Sequence, residues 1–265
     1  IYTLSLHDAL PIFGAMMKWQ TLQHHLDEYL QLQVWQKIDV SENGLQIQPR
    51  CAQVKKIALA VDANLLTAKL AVQAQADLLI VHHGLFWHDS QPLVGLAYQR
   101  LAYFLQHGLG LYACHLPLDA HQVLGHNTLL AQKLCLQAIR DLDIGVVGKL
   151  PQPLKLTEIK QVLQVPAGQP TLELLFNQQL ITKVGIISGA AGKLGYLQQA
   201  KDAGVDLFIT GEVGHVGWQI ARDLKLNLLC LGHYWTETFG VKALGDYLQK
   251  KFSLPTKFIS ANTYL

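Results

Sequence analysis

The chain has 265 residues, enough for one large or two small domains around a well-filled core. Its 21 basic and 19 acidic side chains nearly cancel and form no long basic run, so nucleic acid and membrane surfaces are not expected partners and a small molecule is. Half of the residues are hydrophobic, yet no apolar run approaches the ~18 needed to cross a bilayer, which predicts a soluble protein, and four cysteines without C-x-x-C spacing suggest a cytoplasmic one.

Residues 2–12 show neither helical nor strand periodicity and resemble a translated sequencing adapter. Residues 1-16 are therefore expected to be a non-native leader, with the native start at Met16 or Met17 and no role for His7 or Asp8. Trp19, Leu22, Leu26, Leu30 and Val34 then recur at helical spacing and predict one amphipathic helix over 19–35. His24 and His25 lie in it about 100° apart, too divergent to share an ion, and are read as surface or rim residues. After a turn at 42–46, a strand is expected over 56–62 and a helix over 64–75, with Asn64 as its N-cap.

The stretch 78–89, L-L-I-V-H-H-G-L-F-W-H-D, organises the rest. Apolar residues running into His82 and His83 mark the C-terminal end of a parallel strand, where open α/β sheets hold their ligands. Neighbouring strand residues face opposite sides, so both rings can serve one site only where the strand breaks up, which Gly84 permits. A helix over 96–106, a strand over 109–115, the segment L-P-L-D-A-H at 116–121 and a helix over 127–137 follow.

A second unit is expected from about Ile144, punctuated at 150–153 and 166–170, with a helix over 157–163 and a strand over 172–176. An internal echo comes next. The strand-helix-strand of 56–83 resembles that of 183–212, which places Glu212 where the first copy has His83. A strand over 226–231, the motif G-H-Y-W-T-E, a helix over 236–250 and a strand over 256–260 complete the chain. The alternation predicts an α/β fold of two related domains, with mostly parallel sheets flanked by helices. Residues 17-143 plus 228-265 would form the metal-binding domain and 144-227 the second, with the metal site at their interface.

Three predicted strands end in ligand-type residues: His82 and His83, then His115 and Asp119, then His233 and Glu237. Strand ends line one edge of a parallel sheet, so these groups can converge, and the spacing of His233 and Glu237 suits a turn entering a helix. Five of these six groups, three imidazoles and two carboxylates, already exceed what one open zinc site uses and suit two divalent ions bridged by a carboxylate and a hydroxide. Glu237 is the candidate bridge and Asp119 a terminal ligand. Imidazole and carboxylate accept zinc, iron, manganese or nickel. The four cysteines, Cys51, Cys114, Cys135 and Cys230, show no C-x-x-C spacing and are read as reduced core residues.

V-H-H-G-L-F-W, C-H-L-P-L-D-A-H, S-G-A-A-G, T-G-E-V and L-G-H-Y-W-T-E resemble, in order and spacing, the GTP cyclohydrolase I type 2 homologues, or NGG-interacting-factor-like dinuclear metal-centre proteins. The resemblance covers nearly everything from Met17 onward. It implies two α/β domains, a ring-shaped homohexamer and a pair of metal ions held by His82, His83, Asp119, His233 and Glu237. The sequence departs from the family in having S-G-A-A-G where a glycine run is common.

The expected function is a metal-dependent hydrolase of a small nucleotide-like or phosphorylated substrate, with a metal-bridging hydroxide as nucleophile and His115 or Glu212 moving protons. The rival is a metal-handling or assembly protein without turnover. For His115 the plainer reading is a structural strand-end histidine, and for Glu212 and His215 a capped helix start. His88 and His126 could rim the pocket, although solvated loop histidines are commoner. Gly189, Gly192 and Gly195 beside Lys193 could hold a phosphate at a helix N-terminus, but an ordinary tight turn is the better reading. Phe86 and Trp87 could stack a base, and could equally pack the site's entrance or a subunit contact.

Overall fold

A computed structural model describes residues 16–88, 92–176 and 180–265. His7, Asp8 and the rest of 1–15 lie outside the described residues, as does Asp89. In chain order the first part comprises β1 (Met17–Lys18), α1 (Trp19–Tyr29), α2 (Leu32–Trp35), β2 (Gly44–Ile47), β3 (Gln53–Val54), β4 (Ile57–Asp62), α3 (Leu65–Gln73), β5 (Leu78–His83), α4 (Gly95–His107), β6 (Gly110–Ala113) and α5 (Leu116–Asp119). There follow α6 (His126–Lys133), β7 (Gln137–Leu142), β8 (Gly145–Leu154), α7 (Leu156–Leu163), β9 (Leu172–Leu174), β10 (Ile181–Ala190), α8 (Leu194–Asp202) and β11 (Leu207–Glu212). The last elements are α9 (Gly214–Asp223), β12 (Leu228–Cys230), α10 (His233–Thr236), α11 (Thr238–Phe252) and β13 (Thr256–Phe258).

The molecule is an α/β protein built on two main sheets. The first, in the order β13-β4-β5-β6-β2, is parallel except at its β2 edge. Its inner strands read I-A-L-A-V and L-L-I-V because both faces are covered, by α1 and α11 on one side and by α3 and α4 on the other. The second, β7-β8-β10-β11-β12-β9, is parallel only through β10, β11 and β12, and antiparallel strands occupy its flanks. Among the described residues no helix is long and apolar enough to cross a membrane.

The structure departs from the expected elements in four places. The 19–35 helix is two helices, because Gln31 adopts a left-handed conformation (φ 52°). Residues two apart on a continuous helix diverge by about 200°, and the break lets Leu30 and Leu32 both enter the core. The strand β7, which the sequence reading missed, has five exposed residues of six and owes its place to the hairpin with β8 rather than to burial. Since β7 and β12 both belong to the second sheet, residues 137–142 and 228–230 part from the first unit, to which the sequence reading had joined them. Finally, 150–153 continues β8 instead of interrupting it. Pro151 and Pro153 lie beyond Lys149, the last residue paired to β7, so their missing N–H groups leave no bond to that strand unmade.

The internal echo is present in the backbone. In β4-α3-β5 the Asp77 carboxylate accepts the Lys55 and Lys56 N–H groups at the base of β4. In β10-α8-β11 the Asp206 carboxylate does the same for Thr182 and Lys183. At the other end Asp62 lies opposite His83 and Ala190 opposite Glu212.

Candidate metal centre

The C-terminal ends of strands from both sheets meet over a buried floor of His82, Asp119 and Glu237, which are 0%, 4% and 3% exposed. His82 and His83 come directly from β5, which remains paired through His83, so the strand does not break at the histidines as expected. The two rings still approach to 4.6 Å between centroids, because Glu237 draws both Nε2 atoms inward. His115 and Asp119 flank α5 after β6, and His233 and Glu237 flank α10 after β12.

Glu237 is the hub. Its Oε1 lies 3.4 Å from His82 Nε2 and 3.1 Å from His233 Nε2, while its Oε2 lies 3.5 Å from His83 Nε2. Asp119 Oδ2 is 3.5 Å from His82 Nε2, and its Oδ1 accepts from the Ser188 hydroxyl at 2.9 Å. Gly189 (φ +64°) is required here, since a Cβ would run into Glu237 Oε1. The expected glycine turn thus serves close packing: Gly189 against Glu237 and Gly192 against the backbone of Val213, while Gly195 meets nothing.

The outer nitrogens explain the orientation. His82 Nδ1 donates to Cys114 O at 3.0 Å, His83 Nδ1 to Asp62 at 2.8 Å, His115 Nδ1 to Asp39 at 2.8 Å and His233 Nδ1 to Glu212 at 2.7 Å. Each acceptor holds Nδ1–H and leaves Nε2 as the nitrogen available to an ion, the arrangement of metal-binding imidazoles.

Burial disfavours charge on His82, but the Asp119 and Glu237 carboxylates outweigh it and raise its pKa to about 9. His233 is likewise raised to about 9, with burial opposed by Glu237 and then Glu212. Burial, reinforced by the neighbouring Glu237 charge, raises Asp119, whereas His82 and His83 hold Glu237 well below the usual carboxylate range despite its burial. Without an ion the floor therefore contains protonated imidazoles around one firmly ionised carboxylate.

These residues fit a divalent ion. Donors bound at about 2.1 Å in tetrahedral geometry sit ~3.4 Å from one another, which is the separation found between Glu237 or Asp119 and the imidazoles. His82 Nε2 and Glu237 Oε2 are buried with no hydrogen-bond partner among the described residues. Such orphaned polar atoms are costly unless something outside the chain satisfies them. Donor atoms also group closely in His82, His83 and His115, in His82, Asp119 and His126, and in His83, His233 and Glu237, each set within 4.8 Å.

Other expected residues fall elsewhere. Glu212 stands behind His233, His215 is exposed on α9, His88 lies 3.7 Å from Glu42, and His24 is exposed. His25 stacks on Tyr29 and Tyr247, away from the centre. Trp87 meets His115 edge-on at 5.2 Å and shares with Phe86 the wall of an 880 Å³ hollow beside α4, which none of the centre's histidines or carboxylates lines. The four cysteines are unpaired. Cys114 and Cys230 are buried, but Cys135 is exposed just after α6.

Three contributors escaped the sequence reading. Asp39, 2% exposed, accepts from Ser41 N, Leu116 N, Asn43 and His115; burial opposes its charge, yet His115 and these donors lower its pKa to about 2. Its D-V-S-E-N setting reads as a polar turn. Asp62 ends β4, where the echo could have pointed to it. His126, read as a solvated loop histidine or at most a rim of the pocket, is fully buried, and burial pushes its pKa well below the ordinary imidazole value.

A family profile described as Duf34/NIF3 (NGG1p interacting factor 3) matches residues 17–264. A "GTP cyclohydrolase 1 type 2 homolog" of Pyrococcus horikoshii is 38% identical over 248 residues, covering 91% of this chain and 96% of its own. The protein of that name from Archaeoglobus fulgidus is 36% identical over 246 residues, 91% of this chain and 96% of its own. A Thermus thermophilus protein of known crystal structure superposes with a TM-score of 0.84 at 38% identity, covering 94% of this chain and 100% of its own. With a profile match across nearly its whole length and relatives this similar, the chain belongs to the Duf34/NIF3 family.

Proposed function

We propose that this protein holds a pair of divalent metal ions and hydrolyses a small nucleotide-like or phosphorylated substrate. The observation that carries the reading is the convergence of three imidazole Nε2 atoms, of His82, His83 and His233, on two buried carboxylates at coordination spacing. His82, His83, Asp119, His233 and Glu237 would hold the ions. The two Glu237 oxygens face different imidazoles, which suits shared use of that carboxylate. When bound, divalent ions acidify water toward neutral pH and polarise the bond under attack.

The remaining groups have separable tasks. His115 Nε2 is free to take a proton, and Asp39 fixes the ring and stabilises the imidazolium that results. Glu212 acts through His233 and is a positioning residue, not the acid or base the sequence suggested. His83, His115 and His233 side chains are 20%, 20% and 27% exposed above a floor below 6%, so substrate would approach from the imidazole side. That opening favours turnover over storage. The name carried by the relatives supports a nucleotide-like substrate.

The test is a screen of the metal-loaded protein against nucleotides and phosphoesters. Turnover that disappears with chelator is expected, and His115→Ala should reduce kcat while retaining the ions. Bound ions with no hydrolysis of any substrate would instead favour metal handling.

A further inference from the structure

Four imidazoles of the centre share one wiring: Nδ1–H points outward to an oxygen, which leaves Nε2 as the nitrogen available to an ion. His126 is wired in the opposite sense. The Gly240 backbone N–H donates to His126 Nδ1 at 2.9 Å. A backbone N–H can only donate, so Nδ1 carries the lone pair and the ring's proton resides on Nε2. A doubly protonated ring would set two N–H groups head to head. The contact is built in, because a Cβ at position 240 would lie 3.0 Å from both Nδ1 and Cε1, and only glycine lets α11 come this close.

The other end of the ring enters the centre. His126 is 0% exposed and packs edge-on against His82 with centroids 4.8 Å apart, and its Nε2 has no hydrogen-bond partner among the described residues. Spacing alone would count it as a ligand beside His82 and Asp119. A ligand nitrogen must present a lone pair, and the Gly240 contact removes that option. A buried N–H without an acceptor is unfavourable, and none of the oxygens among the described residues supplies one.

We infer that His126 is a tautomer-locked hydrogen-bond donor, not a metal ligand, and that it presents Nε2–H to an anionic oxygen bound at the centre. The oxygen belongs either to hydroxide or to a phosphate-like group of the substrate, and the chemistry recognised is the same. This rests on the proposed metal centre and assigns a fixed donor among the lone pairs.

The test is neutron diffraction on deuterium-exchanged crystals of the full chain, zinc-free, zinc-soaked, and soaked with zinc and inorganic phosphate. The expected result is a deuteron on Nε2 of His126 throughout, and on Nδ1 of His82, His83, His115 and His233 in the zinc-soaked crystals. An Nε2–D directed at a solvent oxygen without phosphate, or at a phosphate oxygen with it, identifies the source and supports the inference. A deuteron on Nδ1, or a bare Nε2 bonded to zinc, overturns it. In parallel, His126→Phe should keep the wild-type zinc content while phosphate binding to the zinc-loaded protein weakens about tenfold, the loss of one hydrogen bond. Loss of zinc from folded His126→Phe, matching the loss in His82→Phe, also overturns the inference. If the wild type binds no zinc, the metal-centre reading fails by itself, and the deuteron position in the zinc-free crystal decides whether His126 is the locked donor.

Discussion

The units β4-α3-β5 and β10-α8-β11 use the same device at the bottom of their strands and different residues at the top. Asp77 and Asp206 each anchor two backbone N–H groups of the neighbouring strand. At the opposite end the first unit presents an imidazole, His83, backed by Asp62 from the adjacent strand. The second presents a carboxylate, Glu212, which backs His233 beyond the next strand. One strand-end position is thus a candidate ligand in one half and the support of a candidate ligand in the other. Each half delivers one terminal imidazole held by one carboxylate, and Glu237 joins the pair.

Removing the joint should have the largest effect. Glu237→Gln is expected to lose at least one ion, with affinity falling more than about 100-fold, beyond the range for outer-sphere partners. The fold should survive, as checked by circular dichroism beside metal analysis. Retention of both ions would remove Glu237 from its bridging place. A second pair of variants compares the halves directly. Asp62→Asn and Glu212→Gln should each weaken zinc binding by about 10- to 100-fold. Equal losses would confirm that the carboxylates are equivalent supports, and loss from only one would break the comparison.

Proton competition should also be shared between the halves. His82 and His233 both have pKa values near 9 in the ion-free protein, so each holds a proton at neutral pH that an ion must displace. Zinc affinity should therefore rise with pH up to about 9, by about tenfold per unit for each proton displaced, and titration calorimetry in buffers of different ionisation enthalpy should detect the release. A pH-independent affinity over this range would contradict the coupling. The smallest effect on the centre is expected at the strand bases. Asp77→Ala and Asp206→Ala should each cost about 1–3 kcal/mol of stability through lost charge-assisted hydrogen bonds, measured by urea unfolding, with zinc content unchanged.

Much of this comparison was legible in the sequence because buried parallel strands are continuous apolar runs, and the residues directly after such a run sit at the ligand edge. That logic located His82, His83, His115, Asp119, His233 and Glu237, and the repeated A-D-L-L-I-V and V-D-L-F-I-T segments disclosed the two units. It failed where position depends on long-range pairing. β7 carries an almost wholly exposed sequence and is held by a hairpin, so periodicity could not find it. His126 follows a glycine in a segment that reads as a loop, and its burial depends on α11, more than a hundred residues later. Asp39 shows its role only once β6 delivers His115 beside it. Gln31 breaks a helix that local spacing favours, because two core leucines require it.

The most direct test is divalent-ion content per chain after equilibrium dialysis against zinc, for the wild type and Glu237→Gln side by side. The account predicts about two ions in the wild type and fewer in the variant. A wild-type chain that retains none would contradict it.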